Sequence, residues 1–340
     1  MILVINCGSQ SIKYKLFEKD LQLIKEGRIM VGNKKEYAKV LENELKKLAS
    51  FKDEIGKVCH RFVCGGEKFR APIKINKKIL KELEKYSKLA PLHNPYNVLG
   101  IKASLKIFPK AKEIAVFDTG FFENLPARTT VYPLPEQLRK KYGFKRFGFH
   151  GISHEYVAKE GAKKIGRFFK KLNIITCHLG GGASITAIKS GRAMDTSMGF
   201  TPLEGLVMMT RSGDIDPGIL LLLGEEFSFQ KLNEILNNLS GIKGISGFSE
   251  MKDVLKAIKK RDKNAKLALD IFVYRIQKYI GSYFAVLGKC DLLVFTGAIG
   301  EGSQKIRRMI LRGLTILKNT KILVIKTDEE LMIAKKSKKL

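Results

Sequence analysis

The chain opens with two short apolar runs separated by a polar stretch. Residues 1–5 are apolar and β-branched, and residues 12–17 alternate apolar with basic side chains. Both patterns are typical of β-strands. Residues 6–11 between them are rich in hydrogen-bond donors, so we predict a β-hairpin with a donor-rich tip. An ordinary tight turn is the simpler interpretation of this tip.

Apolar residues recur at helical spacing in residues 36–51, 77–90, 153–172 and 264–288, which predicts amphipathic helices. Asn94 followed by Pro95 is typical of a helix N-cap with proline at the first helical position. Residues 113–117 read as a buried strand that ends at Asp118, and strand ends are where open α/β sheets place their chemistry. The alternation of strands and helices predicts an α/β protein.

A second strand-turn-strand segment, NIITCHLGGGASITAI, repeats the plan of the opening ILVINCGSQSIKYKL. This repetition indicates an internal duplication. Two glycine or serine turns expose backbone N–H groups that can hold a polyphosphate. A third glycine turn, residues 296–303, precedes a predicted helix on whose N-terminus a nucleotide can rest. The chain has no GxxxxGK[ST], HRD or DFG motif, which excludes the P-loop and protein-kinase classes.

Length and composition set outer limits on the fold. A chain of 340 residues with 44% hydrophobic residues is long enough for two domains. Charges interrupt every apolar stretch and no signal peptide precedes the first strand, so we expect a soluble, cytoplasmic protein. The five cysteines are odd in number and form no CxxC pair, which is typical of free thiols in a reducing compartment.

The net charge of +30 has two interpretations. Lysine and arginine residues that displace counterions give affinity for nucleic acid. Here the basic pairs are scattered through helix-like segments instead of being concentrated in one tail. We therefore favour a basic surface that attracts anionic substrates and expect no nucleic-acid partner and no membrane partner.

Histidines and arginines complete the candidate chemistry. All five histidines lie in stretches that contain glycine, proline or arginine, and Arg61 and Arg211 lie in turn-like, glycine-bearing surroundings. A guanidinium group can bind carboxylate and phosphate oxygens through two parallel hydrogen bonds. Together these residues indicate a phosphoryl-transfer site, with structural histidines and surface ion pairs as the alternative.

Several of these segments, in the same order and nearly end to end, resemble the acetate kinase family. They are residues 59–69 (CHRFVCGGEKF), 89–103 with HNPYN, 115–135 with FDTG, 145–157 with GFHG, 174–218 with HLGGG and TRSGDIDPG, and 327–334 (TDEELMIA). The resemblance implies the acetate and sugar kinase/Hsp70/actin fold, an α/β fold with two RNase H-like domains around a nucleotide cleft. We place the first domain at residues 1–120 plus 327–340 and the second at 121–326. The resemblance also implies a homodimer.

The resemblance implies roles for individual residues. Arg61, Asp118, His150 and Arg211 match the catalytic residues, and Asn6 and Glu329 match the pair associated with Mg²⁺ (or Mn²⁺). The small pocket for the acyl methyl group corresponds to Val63, Leu92, Phe149 and Pro202, beside Arg61, which binds the carboxylate. The nucleotide, ATP or ADP, corresponds to Lys13, His178, Leu179, Gly180, Gly181, Gly182, Ala298, Ile299, Gly300, Glu301 and Gly302.

The implied reaction is reversible transfer of the γ-phosphoryl group of ATP to acetate, giving acetyl phosphate and ADP. A kinase for propionate or another short carboxylate is the nearest alternative, and a nucleotide-regulated nucleic-acid-binding protein of the same fold is a more distant one. The chain departs from the family pattern in three places: HLGGG replaces HLGNG, AIGEG replaces GIGEN, and the Asp-Met-Arg beside the nucleotide appears as Glu250-Met251-Lys252, one residue out of step. It is also shorter than is usual for the family.

Overall fold

The structure is a computed structural model that describes residues 1–8, 11–88, 90, 93–338 and 340. Strands β1 to β11 span Ile2–Cys7, Ser11–Phe17, Leu23–Met30, Lys57–Phe62, Ile73–Lys74, Lys112–Phe117, Asn173–Leu179, Ala183–Lys189, Arg192–Thr196, Leu292–Thr296 and Lys321–Val324. Helices α1 to α14 span Tyr37–Lys46, Lys77–Lys85, Asn94–Ile107, Ala127–Thr130, Glu136–Tyr142, Gly151–Lys164, Pro217–Glu226, Phe229–Glu234, Gly241–Ser246, Met251–Lys259, Lys263–Leu287, Gly297–Gly302, Gln304–Leu311 and Glu329–Ser337.

The chain divides into two compact units. The first unit contains Met1–Glu123, Phe149–Tyr156 and Asp328–Leu340, and the second contains Asn124–Gly148 and Val157–Thr327. The first unit thus includes a short internal segment, Phe149–Tyr156, which lies within the range 121–326 expected for the second domain. The domain boundaries given above stay a prediction.

The first unit is built on a six-stranded sheet with the order β3-β2-β1-β4-β6-β5. β1, β4 and β6 are parallel, whereas β2 and β3 are antiparallel to their neighbours. Successive side chains of β1 point to opposite faces. Leu3 and Ile5 pack with residues of α1, and Ile2 and Val4 pack with residues of α14. Helices therefore cover both faces of the sheet.

The second unit repeats this arrangement in a five-stranded sheet with the order β11-β10-β7-β8-β9. β7, β10 and β11 are parallel, and β8 and β9 are antiparallel to their neighbours. Strands β3-β2-β1-β4-β6 of the first sheet have the same order of strand directions as β9-β8-β7-β10-β11 of the second. Both predicted hairpins are present, and the shared topology agrees with the duplication inferred from their sequences.

Three predicted elements differ from the structure. The predicted helix 153–172 corresponds to α6, which begins at Gly151 and ends at Lys164. It ends there because Gly166 takes a positive φ of 68°. Helix α3 begins at Asn94 itself, so His93 and not Asn94 is the N-cap residue. The predicted glycine turn 296–303 is mostly the short helix α12.

The structure also shows the state of the cysteines and the character of the helices. All five cysteines, Cys7, Cys59, Cys64, Cys177 and Cys290, are free and buried. Burial raises the pKa of the Cys7 thiol to about 12. In the described part of the chain, no helix combines the length and hydropathy that crossing a membrane requires.

Candidate active site

Three predicted site residues of the first unit lie at one edge of its sheet. Asn6 is near the end of β1, Arg61 is near the end of β4, and Asp118 directly follows β6. These three strands are parallel neighbours, so their carboxyl ends meet at the same edge. The sheet topology therefore brings together side chains that are as many as 112 positions apart in the sequence.

Arg61 is the centre of this cluster. Its Nη2 and Nε atoms donate to Oδ2 of Asp118 at 2.6 and 3.1 Å, and its Nη1 atom lies 3.3 Å from Oδ1 of Asn6 and 3.4 Å from Oε2 of Glu329. The Arg61 side chain is 17% exposed. A guanidinium group has five N–H donors, so these contacts fix its plane and leave donors for a ligand.

The first turn of α14 supplies two carboxylates to the same cluster. Nδ2 of Asn6 donates to Oε2 of Glu329 at 3.2 Å and to Oε1 of Glu330 at 2.7 Å. The N-cap residue Asp328 accepts from the backbone N–H of Leu331 at 2.8 Å and from Nζ of Lys15 at 2.7 Å. Sequence reasoning missed Glu330 and Lys15. The only sequence signals for them were the adjacency of Glu330 to Glu329 and the i+2 spacing of Lys15 from Lys13.

The charge balance of this cluster favours a bound cation. The side chains of Asp118, Glu329 and Glu330 are buried, and Arg61 contacts the carboxylates of Asp118 and Glu329. Oδ1 of Asp118 is buried without a hydrogen-bond partner among the described residues. Across those residues, no group of three or more His, Cys, Asp or Glu side chains is arranged to hold a metal by itself. Mg²⁺ fits such a site, because it usually binds one or two protein carboxylates together with substrate phosphates and water.

The ionisation of Asp118 responds to two opposing effects. The pKa of its carboxyl group is raised from 3.8 to about 6, chiefly by burial. The charge of Arg61 opposes this rise, and the charge of Glu329 adds to it. Burial alone lowers the pKa of Arg61, but the charges of Asp118 and Glu329 outweigh it and raise this pKa overall. Arg61 therefore stays charged, and Asp118 titrates near the lower end of the physiological pH range.

His150 precedes helix α6 in a strained turn. It has a φ of +57°, which is uncommon for a residue other than glycine. A Cβ atom on the following Gly151 would lie 2.0 Å from the backbone oxygen of Asp118, so only glycine allows this close approach. The turn is thus packed directly against the residue that follows β6.

The predicted acyl pocket is only partly described. Val63 and Phe149 are buried in the first unit, with 5% and 2% exposure. Pro202 belongs to the second unit. Leu92 lies outside the described residues, and its predicted role stays a prediction.

Lys13 lies beside Asn6 on the first hairpin. The two residues are directly opposite each other in the antiparallel pair of β1 and β2, so their side chains share one face of the sheet. Lys15 lies two residues farther along the same face and forms an ion pair with Asp328. The tip of this hairpin, Ser9 and Gln10, lies outside the described residues.

The predicted nucleotide residues of the second unit are neighbours at the ends of two parallel strands. His178 and Leu179 end β7, and His178 is paired with Thr296 at the end of β10. Gly297 has a φ of +80°, and a Cβ atom on it would lie 2.6 Å from the backbone oxygen of Leu179. Residues 180–182 and 298–302 therefore start from adjacent positions on this sheet.

The side chain of Glu301 is occupied within the second unit. Its Oε1 atom accepts from Oγ1 of Thr296 at 3.1 Å, from the N–H of Gly297 at 3.0 Å and from the N–H of Thr327 at 3.3 Å. This carboxylate satisfies the N–H group of Gly297, the first residue of α12, which favours a helix over the predicted turn. Gly302 and Ala298 are exposed on the same segment.

Arg211 is a partly buried cation without an acidic partner among the described residues. Its Nη1 atom donates to the backbone oxygen of Pro202 at 3.3 Å and contacts Sδ of Met208 at 3.7 Å. Burial lowers the pKa of its guanidinium group. The backbone N–H of the nearby Met209 donates to the oxygen of Gly181 at 3.2 Å, so the Arg211 loop lies against the predicted phosphate loop.

Asp214 holds the base of the Arg211 loop. Its Oδ1 atom accepts from the N–H of Gly205, and its own N–H donates to the backbone oxygen of Gly205, at 2.8 Å each. Its Oδ2 atom accepts from the Tyr279 hydroxyl at 2.6 Å. Gly205 has a φ of +107°, which residues with a side chain rarely adopt. The loop from Gly205 to Asp214, which carries Arg211, is therefore closed by hydrogen bonds that sequence reasoning missed.

Comparison with known proteins identifies the family. The acetokinase family matches residues 22–318. The acetate kinase of Thermotoga maritima is 41% identical over 395 aligned positions that cover 100% of this chain and 98% of the relative. Because 395 positions align with only 340 residues, the relative carries segments that this chain lacks.

Solved structures lead to the same family. The acetate kinase of Porphyromonas gingivalis is 36% identical with a TM-score of 0.88, and the propionate kinase of Francisella tularensis is 37% identical with a TM-score of 0.90. In each comparison 98% of both chains is covered. The chain has the two-sheet α/β fold of these kinases and belongs to the acetokinase family.

Proposed function

We propose that the protein reversibly transfers the γ-phosphoryl group of ATP to acetate, giving acetyl phosphate and ADP. Membership of the acetokinase family supports this reaction. The observation that carries it in this chain is the cluster at the edge of the first sheet, where Asp118 fixes Arg61 beside Asn6 and Glu329. Such a cluster suits a small carboxylate and a metal-bound phosphate.

The nucleophile needs no general base. A small carboxylic acid with a pKa of about 4–5 is already ionised at pH 7. Catalysis therefore consists of positioning the two substrates and stabilising charge on the transferred group. We assign Arg61 to the acetate carboxylate and Asp118 to the orientation of Arg61, which its two hydrogen bonds support.

We assign His150 and Arg211 to the transferred phosphoryl group. Arg211 is a partly buried guanidinium group whose positive charge no neighbouring carboxylate neutralises within the described residues. An anionic ligand would supply that missing charge. His150 would donate a hydrogen bond to the same group, and the strain of its backbone supports a functional role. His150 and Arg211 would both act on the same phosphoryl group.

For the nucleotide we propose Lys13, His178–Gly182 and Ala298–Gly302. Glycine backbones at 180–182 approach phosphate oxygens closely, and a lysine supplies a point charge. Of these residues, Glu301 would act through its backbone, because its carboxylate is already bonded to Thr296 and two N–H groups.

We propose Mg²⁺ as the divalent ion, with Mn²⁺ as the alternative. Asn6 and Glu329 would hold it, and we add Glu330 because it shares the Asn6 amide with Glu329. When bound, the ion neutralises charge on the β- and γ-phosphate oxygens. This role agrees with the excess of carboxylates around Arg61.

We also propose a homodimer. Helix α7 has no buried residue, and its Leu221 and Leu222 are 76% and 63% exposed. Phe229, at the start of α8, is 80% exposed. Exposed apolar clusters of this kind mark protein interfaces. Light scattering should give about twice the chain mass of 38.2 kDa. Leu222→Glu should shift the protein towards monomer, while Phe168→Glu, also at an exposed apolar residue, should not. A monomeric wild type would contradict the proposal.

The reaction is tested by measuring ADP formation together with trapping of the acyl phosphate by hydroxylamine. Acetate, propionate and butyrate should be compared, because a propionate kinase is among the structural relatives. One methylene in an apolar pocket is worth about 1–3 kcal/mol, so we expect acetate to exceed propionate by roughly 10–200-fold in kcat/KM. A wild type that prefers propionate would make propionate the substrate.

The variant Val63→Ala tests the acyl pocket in the same assay. Val63 is buried after β4, and shortening its side chain opens space beside the proposed carboxylate site. The acetate-to-propionate ratio should fall while both acids still react. An unchanged ratio would remove Val63 from the pocket.

A further inference from the structure

Two buried asparagines on the first turn of α3 bind the chain that leaves β4. Asn94 and Asn97 are one helical turn apart and are 0% and 2% exposed. Asn94 accepts from the N–H of Cys64 at 3.2 Å and donates to the backbone oxygens of Cys64 at 2.9 Å and Tyr86 at 2.8 Å. Its hydrogen bonds therefore go to the chain after β4 and to the residue that follows α2.

Asn97 has a different pair of partners. Its Oδ1 atom accepts from the N–H of Val63 at 3.1 Å, and its Nδ2 atom donates to the backbone oxygen of Cys7 at 2.8 Å. Cys7 is the last residue of β1, and Val63 is the first residue after β4. One amide group thus joins the ends of two strands that belong to the proposed active site.

This link lies where the pairing of the two strands stops. The parallel register of β1 and β4 runs from Ile2 and Lys57 to Ile5 and His60. Farther along, the side chain of Asn97 joins Cys7 to Val63 in place of a direct backbone bond. A Cβ atom on Gly100, one turn after Asn97, would lie 2.8 Å from Sγ of Cys7, so the helix itself is held close to β1.

The two partners require an amide. The Cys7 carbonyl can only accept and the Val63 N–H can only donate, so the side chain between them must do both. Aspartate would keep the acceptor for Val63 and lose the donor for Cys7. Alanine would lose both and leave two buried backbone groups without partners.

We propose that Asn97 is a positioning residue that fixes the acyl side of the active site relative to the first glycine turn. It acts through Val63, which lines the acyl pocket, and through Cys7, which precedes Gly8 in that turn. The inference rests on the proposed function, because it assigns Val63 to the acyl pocket. Asn94 gives a control one helical turn away, since its hydrogen bonds go to Cys64 and Tyr86 and none goes to the described residues of β1.

The test compares Asn97→Ala, Asn97→Asp and Asn94→Ala with the wild type, in kcat/KM for acetate and propionate and in thermal stability. We expect both Asn97 variants to lose at least tenfold in kcat/KM for acetate. We also expect their acetate-to-propionate ratio to fall at least fivefold, because a loosened Val63 discriminates chain length less well. Asn94→Ala should lower stability but keep the ratio within twofold of the wild type.

The outcomes separate the possible roles. A ratio within twofold of the wild type in both Asn97 variants would overturn the proposal, even if they are less stable. So would an equal change in Asn94→Ala, or failure of both Asn97 variants to fold, since either result makes the asparagines structural residues only. A wild type that phosphorylates no carboxylate would instead contradict the proposed function, and that result is independent of the variants.

Discussion

Arg61 and Arg211 are both partly buried guanidinium groups, but their surroundings differ in charge. Arg61 contacts two carboxylates, and their charges raise its pKa. Arg211 bonds only to a carbonyl and a thioether within the described residues, and burial lowers its pKa. An uncompensated buried charge is costly, so such a residue is kept in place by the surrounding fold and gains most from an anionic ligand.

Arg211→Ala should therefore remove transition-state stabilisation and leave nucleotide binding nearly intact. A single arginine at a transferred phosphoryl group is worth about three to five orders of magnitude in turnover. We expect kcat to fall at least about 10³-fold, while the dissociation constant for ATP, measured by calorimetry, changes little. Arg211→Lys keeps the charge without the planar fork and should recover part of the loss. A kcat for Arg211→Ala within about tenfold of wild type, or about 1.4 kcal/mol, would contradict the assigned role.

Asp118 should make stability depend on pH in the direction opposite to that of an ordinary salt-bridged aspartate. Its pKa in the folded protein, about 6, lies above the unfolded value near 3.8. The protonated form therefore contributes stability below about pH 4, and this contribution is lost as the pH rises through about 6. The slope reaches at most about 1.4 kcal/mol per pH unit.

The measurement is urea unfolding of the wild type and Asp118→Asn at pH 5, 6 and 7, without divalent cations. Subtracting the variant removes the contributions of the other titrating groups. The unfolding free energy of the wild type relative to Asp118→Asn should decrease between pH 5 and 7. A difference that stays constant or increases over this range would mean that burial does not dominate the pKa of Asp118.

At the scale of elements, the start of α14 determines where two carboxylates of the proposed metal site lie. Asp328 caps the helix through Oδ1 and forms an ion pair with Lys15 of β2 through Oδ2. Glu329 and Glu330 follow immediately and contact Asn6 of β1. The helix is thus fixed to two adjacent strands at its first turn.

Asp328→Ala should destabilise the protein by about 1–2 kcal/mol, since removing an N-cap side chain costs about 0.5–2 kcal/mol. Asp328→Asn keeps an oxygen for the cap and loses only the charge, so its effect should be smaller. Both are measured by chemical denaturation. Equal effects of the two substitutions would show that the ion pair with Lys15, and not the cap, holds the helix.

The sequence predicted elements with a strong local pattern. Both hairpins, the strand that ends before Asp118 and the long helix α11 could be read from periodicity, because their apolar residues alternate or recur at fixed spacing. Helix α12 could not, because glycines at 297, 300 and 302 read as a turn. The helix is favoured because Glu301 satisfies the N–H group of Gly297 through a side chain that no local pattern reveals.

The site was predicted in part for the same reason. Residue types and motifs indicated Arg61, Asp118 and Arg211, but not that Oδ2 of Asp118 accepts two hydrogen bonds from Arg61, since 57 positions separate them. Asn97 binds backbone groups of Cys7 and Val63, and Asp214 accepts from the Tyr279 hydroxyl, all far away in the sequence. Contacts of this kind follow from the assembled sheet and leave no spacing in the sequence.

At the scale of the whole molecule, the two sheets share one order of strand directions, although their sequences differ. Each sheet begins with a hairpin whose tip follows its first strand. In the first unit Asn6, near the end of the first strand, binds the carboxylates of Glu329 and Glu330, and in the second unit Gly181, after the first strand, binds the loop that carries Arg211. The corresponding positions of the two sheets therefore contact different kinds of side chain.

The net charge of +30 should act on small anions and not on nucleic acid. Basic residues are spread along the chain, so no tail or single helix concentrates them. Affinity for random-sequence duplex DNA at physiological salt should be no tighter than about 10⁻⁴–10⁻⁶ M, measured by fluorescence anisotropy. A nanomolar complex under these conditions would favour the nucleic-acid-binding alternative.

Because all five thiols are buried, the rate at which each one is alkylated reports how often the structure around it opens. A thiol must reach solvent and ionise before it reacts, so iodoacetamide should modify the native enzyme only through transient openings. Cys7, Cys59 and Cys64 lie in the first unit, and Cys177 and Cys290 lie in the second. Mass spectrometry of the alkylated peptides would time the opening of each unit separately, without any engineered label. If ATP slows labelling at Cys177 more than at Cys59, then the nucleotide stabilises the second unit preferentially.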